Sequence, residues 1–286
     1  MQLKRFENAA EFYEQVKPFL VAHEAEHNVL LGICSALIQT DIYEAPPYMA
    51  YVEHDGEIVA VAMRTPPYNL VLSDMADDSP IATLVQNTYA TYPDLKGIVG
   101  LKAISKTFAQ TWKAITGQDY RLNIEERLYR LQKVNPVHQV SGEYRAAIEA
   151  DREILVQWFI DFSVEALDGM SREDAERQFN VRLTSDPLQR GLRVWCDRGK
   201  PVSFAGYGGQ TPHGIRIGPV YTPPELRGHG YASACVAALS QELLDAGRKF
   251  VSLFTDLSNP TSNHIYQTIG YEPVCYVDEY RFEAVS

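Results

Sequence analysis

The sequence predicts an α/β protein (an α+β mixed sheet), a mixed and mostly antiparallel sheet flanked by helices, built as two similar modules. β-rich and helical runs alternate along the chain. The order of those runs in the first half recurs in the second: strand, two helices, three strands, helix, strand, helix, strand. One stretch, IRIGPVYTPPELRGHGYA from Ile215 to Ala232, passes from a β-branched strand through two prolines into a glycine loop that opens a helix. A single large α/β domain is the alternative, because 286 residues set domain count only loosely.

In the first half, Gln2 to Phe6 reads as a strand. Ala9 to Ala22 reads as a helix, with Phe12, Val16, Phe19 and Leu20 on one side. A second helix spans about Glu24 to Gln39. YMAYVEHDGEIVAVAMRT is a hairpin turning at His54-Asp55-Gly56, since Asp-Gly accepts the positive φ of a tight turn. Tyr68 to Leu72 is a third strand. The helix after it is entered through Asp74, Asp77 and Asp78, without glycine, so this entry would repel a phosphate. A strand from Gly97 to Gly100, a helix from Lys102 to Ile115 and a long alternating strand ending near Val134 follow. Asn135 to His138 reads as a linker.

The second half opens with a strand from Glu143 to Ile148 and a helix from Asp151 to Leu167. Ser171 and Asp174 resemble a capping box for a helix through about Leu183. Strands at Gly191 to Cys196 and Pro201 to Tyr207 turn at Arg198-Gly199. His213 to Tyr221 is the next strand. The helix after the glycine loop, a strand from Lys249 to Asp256, a helix from Thr261 to Ile269 and a last strand near Cys275 to Phe282 complete the chain. The two modules meet near Asn135.

Composition narrows the function. With 45% hydrophobic and 22% charged residues, the chain can bury a sizeable core. A net charge of -11 argues against nucleic-acid and anionic-membrane partners, and tilts slightly toward a cationic substrate. Cys34, Cys196, Cys235 and Cys275 form no metal-ligand spacing, so they read as buried thiols and no metal is expected. The amino-terminal residues lack a signal-peptide core, and no apolar run is long enough to span a bilayer; a cytoplasmic protein is expected.

The loop carries the chemistry. Gly228 and Gly230 have no Cβ, so their backbone can lie against a ligand. The amides from His229 to Ala232 fall at a helix N-terminus, where they lack intrahelical partners and a diphosphate can supply acceptors. The His229 side chain is expected to face solvent. His213 and His264 read as surface residues, and Trp158 and Phe159 as core.

Arg227-Gly228-His229-Gly230-Tyr231-Ala232 fits R-x-x-G-x-A, and here the chain resembles the GNAT superfamily of N-acetyltransferases. Asn259, Ser262, Tyr266, Gly270 and Tyr271 match that family's later segment. The resemblance covers about Ser141 to Phe282; the first half resembles the family only in element order. It implies tandem GNAT-like domains: residues 1–135 a degenerate one without phosphate loop, residues 141–286 the acetyl-CoA-binding catalytic one. Arg227, Gly228, His229, Gly230, Tyr231 and Ala232 would then hold the coenzyme A pyrophosphate. The strand Ile215 to Tyr221 would splay from Lys249 to Asp256, with Gly218, Val220 and Tyr221 lining the gap for the pantetheine arm. Asn259 would hold the pantetheine or the loop, and Tyr266 would be the general acid at the thioester sulfur.

The implied reaction is direct acetyl transfer from acetyl-CoA, as co-substrate, to a small-molecule or peptide amine. The amine must first lose a proton. The strand Ile215 to Tyr221 carries no carboxylate for that task, which leaves Glu165 and Asp168 as candidates, with a solvated helix end as their plain alternative. A non-catalytic acyl-CoA-binding or regulatory module is the competing reading; a nucleotide-binding protein is weakened by the lack of a GK[ST] or GxGxxG signature. The acceptor's identity and the choice between monomer and homodimer stay open.

Overall fold

The expected elements form in the expected order in the computed structural model, which describes residues 1–39, 45–166 and 169–283. β1 (Gln2–Phe6) leads to α1 (Ala9–Ala22), whose first turn is capped by Asn8 Oδ1, accepting from the N–H groups of Ala10 and Glu11. α2 (Asn28–Gln39) starts later than the expected Glu24, because a turn intervenes. His27 is buried there. Its Nε2 accepts from Asp74 N–H at 3.0 Å, which leaves Nδ1 to donate to Leu20 O at 3.0 Å.

β2 (Tyr48–His54) and β3 (Glu57–Arg64) form the hairpin, with Asp55 at φ 50° and Gly56 at φ 86° in its turn. β4 (Leu70–Leu72), α3 (Ile81–Thr91), β5 (Gly97–Leu101), α4 (Lys102–Thr116) and β6 (Tyr120–Leu131) complete the first set. The second set is β7 (Glu143–Ala146), α5 (Arg152–Ala166), α6 (Arg172–Thr184), β8 (Gly191–Asp197), β9 (Lys200–Gly208), β10 (Gly214–Tyr221), α7 (Tyr231–Asp245), β11 (Phe250–Asp256), α8 (Pro260–Ile269) and β12 (Glu272–Phe282). Ser171 caps α6 as its sequence indicated, its hydroxyl accepting from Asp174 N–H at 3.0 Å.

The chain groups into two units. One comprises Met1–Leu128, Thr255–Asn259 and the chain from Pro273; the other comprises Tyr129–Phe254 and Pro260–Glu272. In the first, strand order is β1-β2-β3-β4-β5-β12, with β4 parallel to β5 and the other neighbours antiparallel. In the second, the order is β7-β8-β9-β10-β11, with β10 parallel to β11 and the others antiparallel. Each unit thus repeats one pattern: three antiparallel pairings, then one parallel pairing reached through a crossover helix.

The units do not follow a cut at Asn135. Val277–Arg281 of β12 pair antiparallel with Gly97–Leu101 of β5, so a strand made last completes the first unit. An open strand edge needs a partner for its N–H and C=O groups, and any segment of suitable register can supply it.

Apolar layers cover the sheet in each unit. In the first, Phe108 and Trp112 of α4 pack with Leu84 of α3 and Phe282 of β12, and α1 and α2 bury Phe12, Val16 and Leu31 against Met49 and Val61. In the second, α7 and α8 bury Val236, Leu239 and Ile269 against Ile217 and Leu253, while α5 and α6 bury Leu155, Phe159 and Phe179 against Val194 and Phe204. The alternation of β9 follows: Ala205 and Tyr207 face α7, and Phe204 faces α5 and α6.

Candidate active site

In the second unit, β10 and β11 part company. Their pairing covers Gly214–Arg216 against Phe250–Ser252 and ends there, while β10 continues to Tyr221. On its other side β10 pairs with β9, and that register shifts between Ile217 and Val220. Pro219, which has no N–H to give, sits inside the shift. Gly218 and Val220 are half-buried and Tyr221 is buried. The backbone beyond Arg216 therefore offers an open edge toward β11, in the geometry that accepts an added extended segment.

The chain then turns through Pro224–Leu226 into the glycine loop. Gly228 and Gly230 have φ of 79° and 81°. A side chain at such φ costs about 1–2 kcal/mol. Among the described residues nothing lies within 4 Å of where a Cβ on Gly228 would stand, so the loop presents bare backbone to open space. At Gly230 that position is 2.8 Å from Val140 Cγ1. No side chain caps α7, and Ala234 N–H is the donor that bonds back to Gly230 O, at 3.0 Å. The N–H groups of Tyr231, Ala232 and Ser233 point out of the helix end, where its dipole is positive. Open space, bare backbone and unpaired amides fit a diphosphate.

Neighbouring side chains brace the loop. Tyr231 is buried and its hydroxyl donates to Asp197 Oδ2 at 3.1 Å. His229 is exposed, stacks on the Tyr231 ring at 5.5 Å and places Nδ1 3.0 Å from Arg227 O. Arg227 donates from Nε to Thr222 O at 2.9 Å and makes a forked ion pair with Glu165, at 2.9 and 2.7 Å. Tyr221 donates to the same carboxylate at 3.4 Å. Burial, then the Glu165 charge, push the Tyr221 phenol up to about 12. Glu165, a candidate base by sequence, is thus a brace between α5 and the loop, its oxygens already accepting hydrogen bonds. Asp168 lies outside the described residues.

Tyr266 is buried at 8% exposure, in the cluster that holds Ile217 of β10 and Leu253 of β11. It meets Tyr271 edge-on at 5.9 Å. Burial pushes its phenol up to about 12, so it keeps its proton at neutral pH. Asn259 is exposed in the turn before α8, its N–H donating to Asp256 O at 3.1 Å. Among the expected site residues, Asn259 falls outside the second unit.

The first unit offers a different entry to its crossover helix. Pro80 precedes α3 without a side-chain cap, and Asp77 accepts from the Ser79 N–H at 2.8 Å. The Ser79 hydroxyl and N–H hold the Asp77 carboxyl below its usual range, which fixes a negative charge there.

Sequence reasoning missed Arg182. Its Nε lies 3.3 Å from where a Cβ on Gly206 would stand, and Gly218 O lies 2.9 Å from the same point. The available signal was glycine inside a strand, at Gly206 and Gly208, which marks a close approach by another group.

A parting parallel pair, a glycine loop on a helix N-terminus and a buried tyrosine thus belong to one unit. The model of the acetyltransferase (GNAT) family matches residues 153–271. These residues are a GNAT acetyltransferase domain, and the chain is an acyltransferase through it. No curated protein matches the sequence. Among solved structures, the chain is similar to a Drosophila protein at 11% identity and TM-score 0.69, covering 98% of both chains. A GCN5-related N-acetyltransferase from Sphaerobacter thermophilus matches at 15% identity and TM-score 0.64, over 99% of this chain and 97% of that one. A tandem GNAT protein from the clavulanic acid biosynthesis pathway matches at 14% identity and TM-score 0.58, over 100% of both. The fold is that of a tandem GNAT protein. Among the described residues no helix is long and apolar enough to cross a membrane.

Proposed function

We propose that the chain transfers the acetyl group of acetyl-CoA directly to an amine, at one coenzyme site in the second unit. The observation that carries this reading is the parting of β10 from β11 next to the uncapped amides of α7. The amides of Tyr231 and Ala232, with the backbone of Gly228 to Gly230, receive the diphosphate. Gly218, Val220 and Tyr221 line the path of the pantetheine arm. The Tyr266 hydroxyl, protonated at neutral pH, gives its proton to the departing thiolate, and the proton that the amine nitrogen sheds on acylation passes to solvent, from which Tyr266 is reprotonated. We assign no second site to the first unit, because the Asp77 carboxylate ahead of its crossover helix would repel a phosphate.

Titrating the chain with acetyl-CoA by calorimetry, alongside thiol release over an amine panel, tests the reading. One coenzyme per chain and amine-dependent thiol release are expected. Two per chain would sink the single-site assignment. Binding without release on any amine would favour a non-catalytic acyl-CoA-binding module.

A further inference from the structure

We propose that the first unit holds a small oxyanion, a carboxylate or a phosphate, on the guanidinium of Arg64. The site lies on the sheet face that α3 covers. Tyr48 of β2 and Arg64 of β3 are cross-strand neighbours there, and Arg5 of β1, opposite Ala50, joins the same face one pleat along. Arg64 is 8% exposed. Its guanidinium lies 4.3 Å from the centre of the Tyr92 ring, at the carboxyl end of α3, and its Nε donates to Tyr68 O at 2.8 Å. A guanidinium has five N–H donors and keeps its charge at any working pH. One of the five is used, and among the described residues no other hydrogen bond or ion pair holds Arg64. Neither Nη atom is both sealed from solvent and unpartnered, so the edge that carries them is open to water.

The surroundings leave this charge without an anion. Tyr92 offers its ring face, which attracts a cation but accepts nothing from the in-plane N–H groups. The negative carbonyl end of α3 is matched by Arg5, whose Nη1 donates to Thr91 Oγ1 at 3.1 Å and whose guanidinium lies 4.0 Å over the Tyr48 ring. The Tyr48 and Tyr92 rings are 6.0 Å apart, so two cations stand on neighbouring tyrosines in a chain of net charge -11. Tyr48 donates its hydroxyl to Asn87 Oδ1 at 2.8 Å. Asp94, the acid next in sequence to Tyr92, is exposed, and among the described residues it pairs with neither arginine. An oxyanion fits what remains: two of its oxygens take parallel bonds from Nη1 and Nη2, the fork that carboxylates and phosphates share. A cationic ligand would be repelled. The glycine loop of the second unit is a separate anion site, built on backbone amides, and the Arg64 assignment does not rest on acetyl transfer.

Calorimetry of the full chain saturated with coenzyme A tests the proposal, with inorganic phosphate and acetate as separate probes at matched ionic strength. The wild type, Arg64→Gln, Arg64→Lys and Arg5→Gln are compared. At least one probe is expected to bind the wild type, and Arg64→Gln to weaken it about tenfold or more. Arg64→Lys keeps the charge and loses the fork, so it should weaken binding several-fold; it also serves if Arg64→Gln misfolds. Arg5→Gln should weaken it about two- to fivefold, through the lost second charge. Phosphate tighter than acetate points to a phosphorylated ligand and the reverse to a carboxylic acid; either supports the site. No binding of either probe to the wild type, or unchanged affinity in Arg64→Lys or Arg64→Gln, overturns the proposal. Failure of coenzyme A to bind would count against acetyl transfer alone, since the same comparison of variants runs on the unloaded chain.

Discussion

Arg227 and Glu165 form a forked ion pair, the closer oxygen 2.7 Å from the guanidinium, and so tie the glycine loop to α5. Both side chains are nearly half exposed, so the pair contributes little to stability. Its effect is on the loop's charge. Glu165→Gln is expected to leave the unfolding midpoint in place and to tighten acetyl-CoA about two- to fivefold, because a carboxylate no longer competes with the diphosphate for Arg227. Calorimetric affinities of the two proteins check this; unchanged or weaker binding would mean that the brace orders the loop for its ligand.

Gly228 and Gly230 separate binding from folding. Gly228→Ala places its Cβ in open space at unfavourable φ, so stability should fall by about 1–2 kcal/mol. Acetyl-CoA affinity should fall more, about tenfold or beyond, since the methyl occupies the ligand's approach. Gly230→Val should abolish binding as well, with an added clash against Val140. Denaturation and titration of both variants read the two effects apart. A Gly228→Ala protein that binds normally would show the loop to be a plain turn.

Tyr266→Phe removes one oxygen from a packed site and keeps the ring against Tyr271. The expected result is a kcat lower by about 10²–10⁴, with the KM for acetyl-CoA nearly unchanged. As the phenol titrates near 12, the wild-type rate should show no alkaline fall from this residue below about pH 11. A variant with full kcat would remove Tyr266 from the chemistry.

His27 makes stability depend on acid. Burial holds its protonation below the usual range, so the folded chain binds fewer protons than the unfolded one. The contribution is complete above the ordinary histidine value of 6.5 and is lost as pH falls below it. Protonated Nε2 can no longer accept from Asp74 N–H. Thermal unfolding followed from pH 7.5 to 5.5 should show a falling midpoint, and His27→Gln should flatten that slope. An equal slope in the variant would place the titration elsewhere.

Asp278 lies in β12 at 1% exposure, and among the described residues neither carboxylate oxygen has a hydrogen-bond partner. Burial raises its titration, Lys102 notwithstanding, so the folded state binds the proton more tightly than the unfolded one. Its penalty is absent at low pH and grows as pH rises from about 4 through the folded value. Asp278→Asn should therefore stabilise the chain at pH 7 by about 1–3 kcal/mol and change little at pH 3. Urea unfolding at the two pH values measures the difference; a destabilised variant at pH 7 would reveal a role for the charge.

Local features of the sequence carried most of the element order. The two β-rich runs of Tyr48–Arg64 and the Asp-Gly turn between them located the first hairpin, because strand propensity and a positive φ are short-range requirements. The glycine loop was legible for the same reason: bare backbone before a helix can be read within six residues. What pairs with what was not. β12 joins β5 across most of the chain length, and nothing in Val277–Arg281 names its partner. The Glu165 and Arg182 placements were also hidden, since α5 and α6 read as amphipathic helices whatever their ends touch. Glycines at 206 and 208 showed that something approaches, but not that it is arginine.

The pairing of β12 with β5 also sets an order of assembly. As the ribosome extrudes the chain, β1 to β5 emerge early, yet the strand that completes their sheet emerges last. The segment Tyr129–Phe254, with α8 close behind, has its own strands in hand sooner. The amino-terminal half therefore waits, unfinished and with one edge bare, for a tail that arrives after its neighbour has been translated. A nascent chain arrested before Val277 would leave that edge open to chaperones and to other copies of itself.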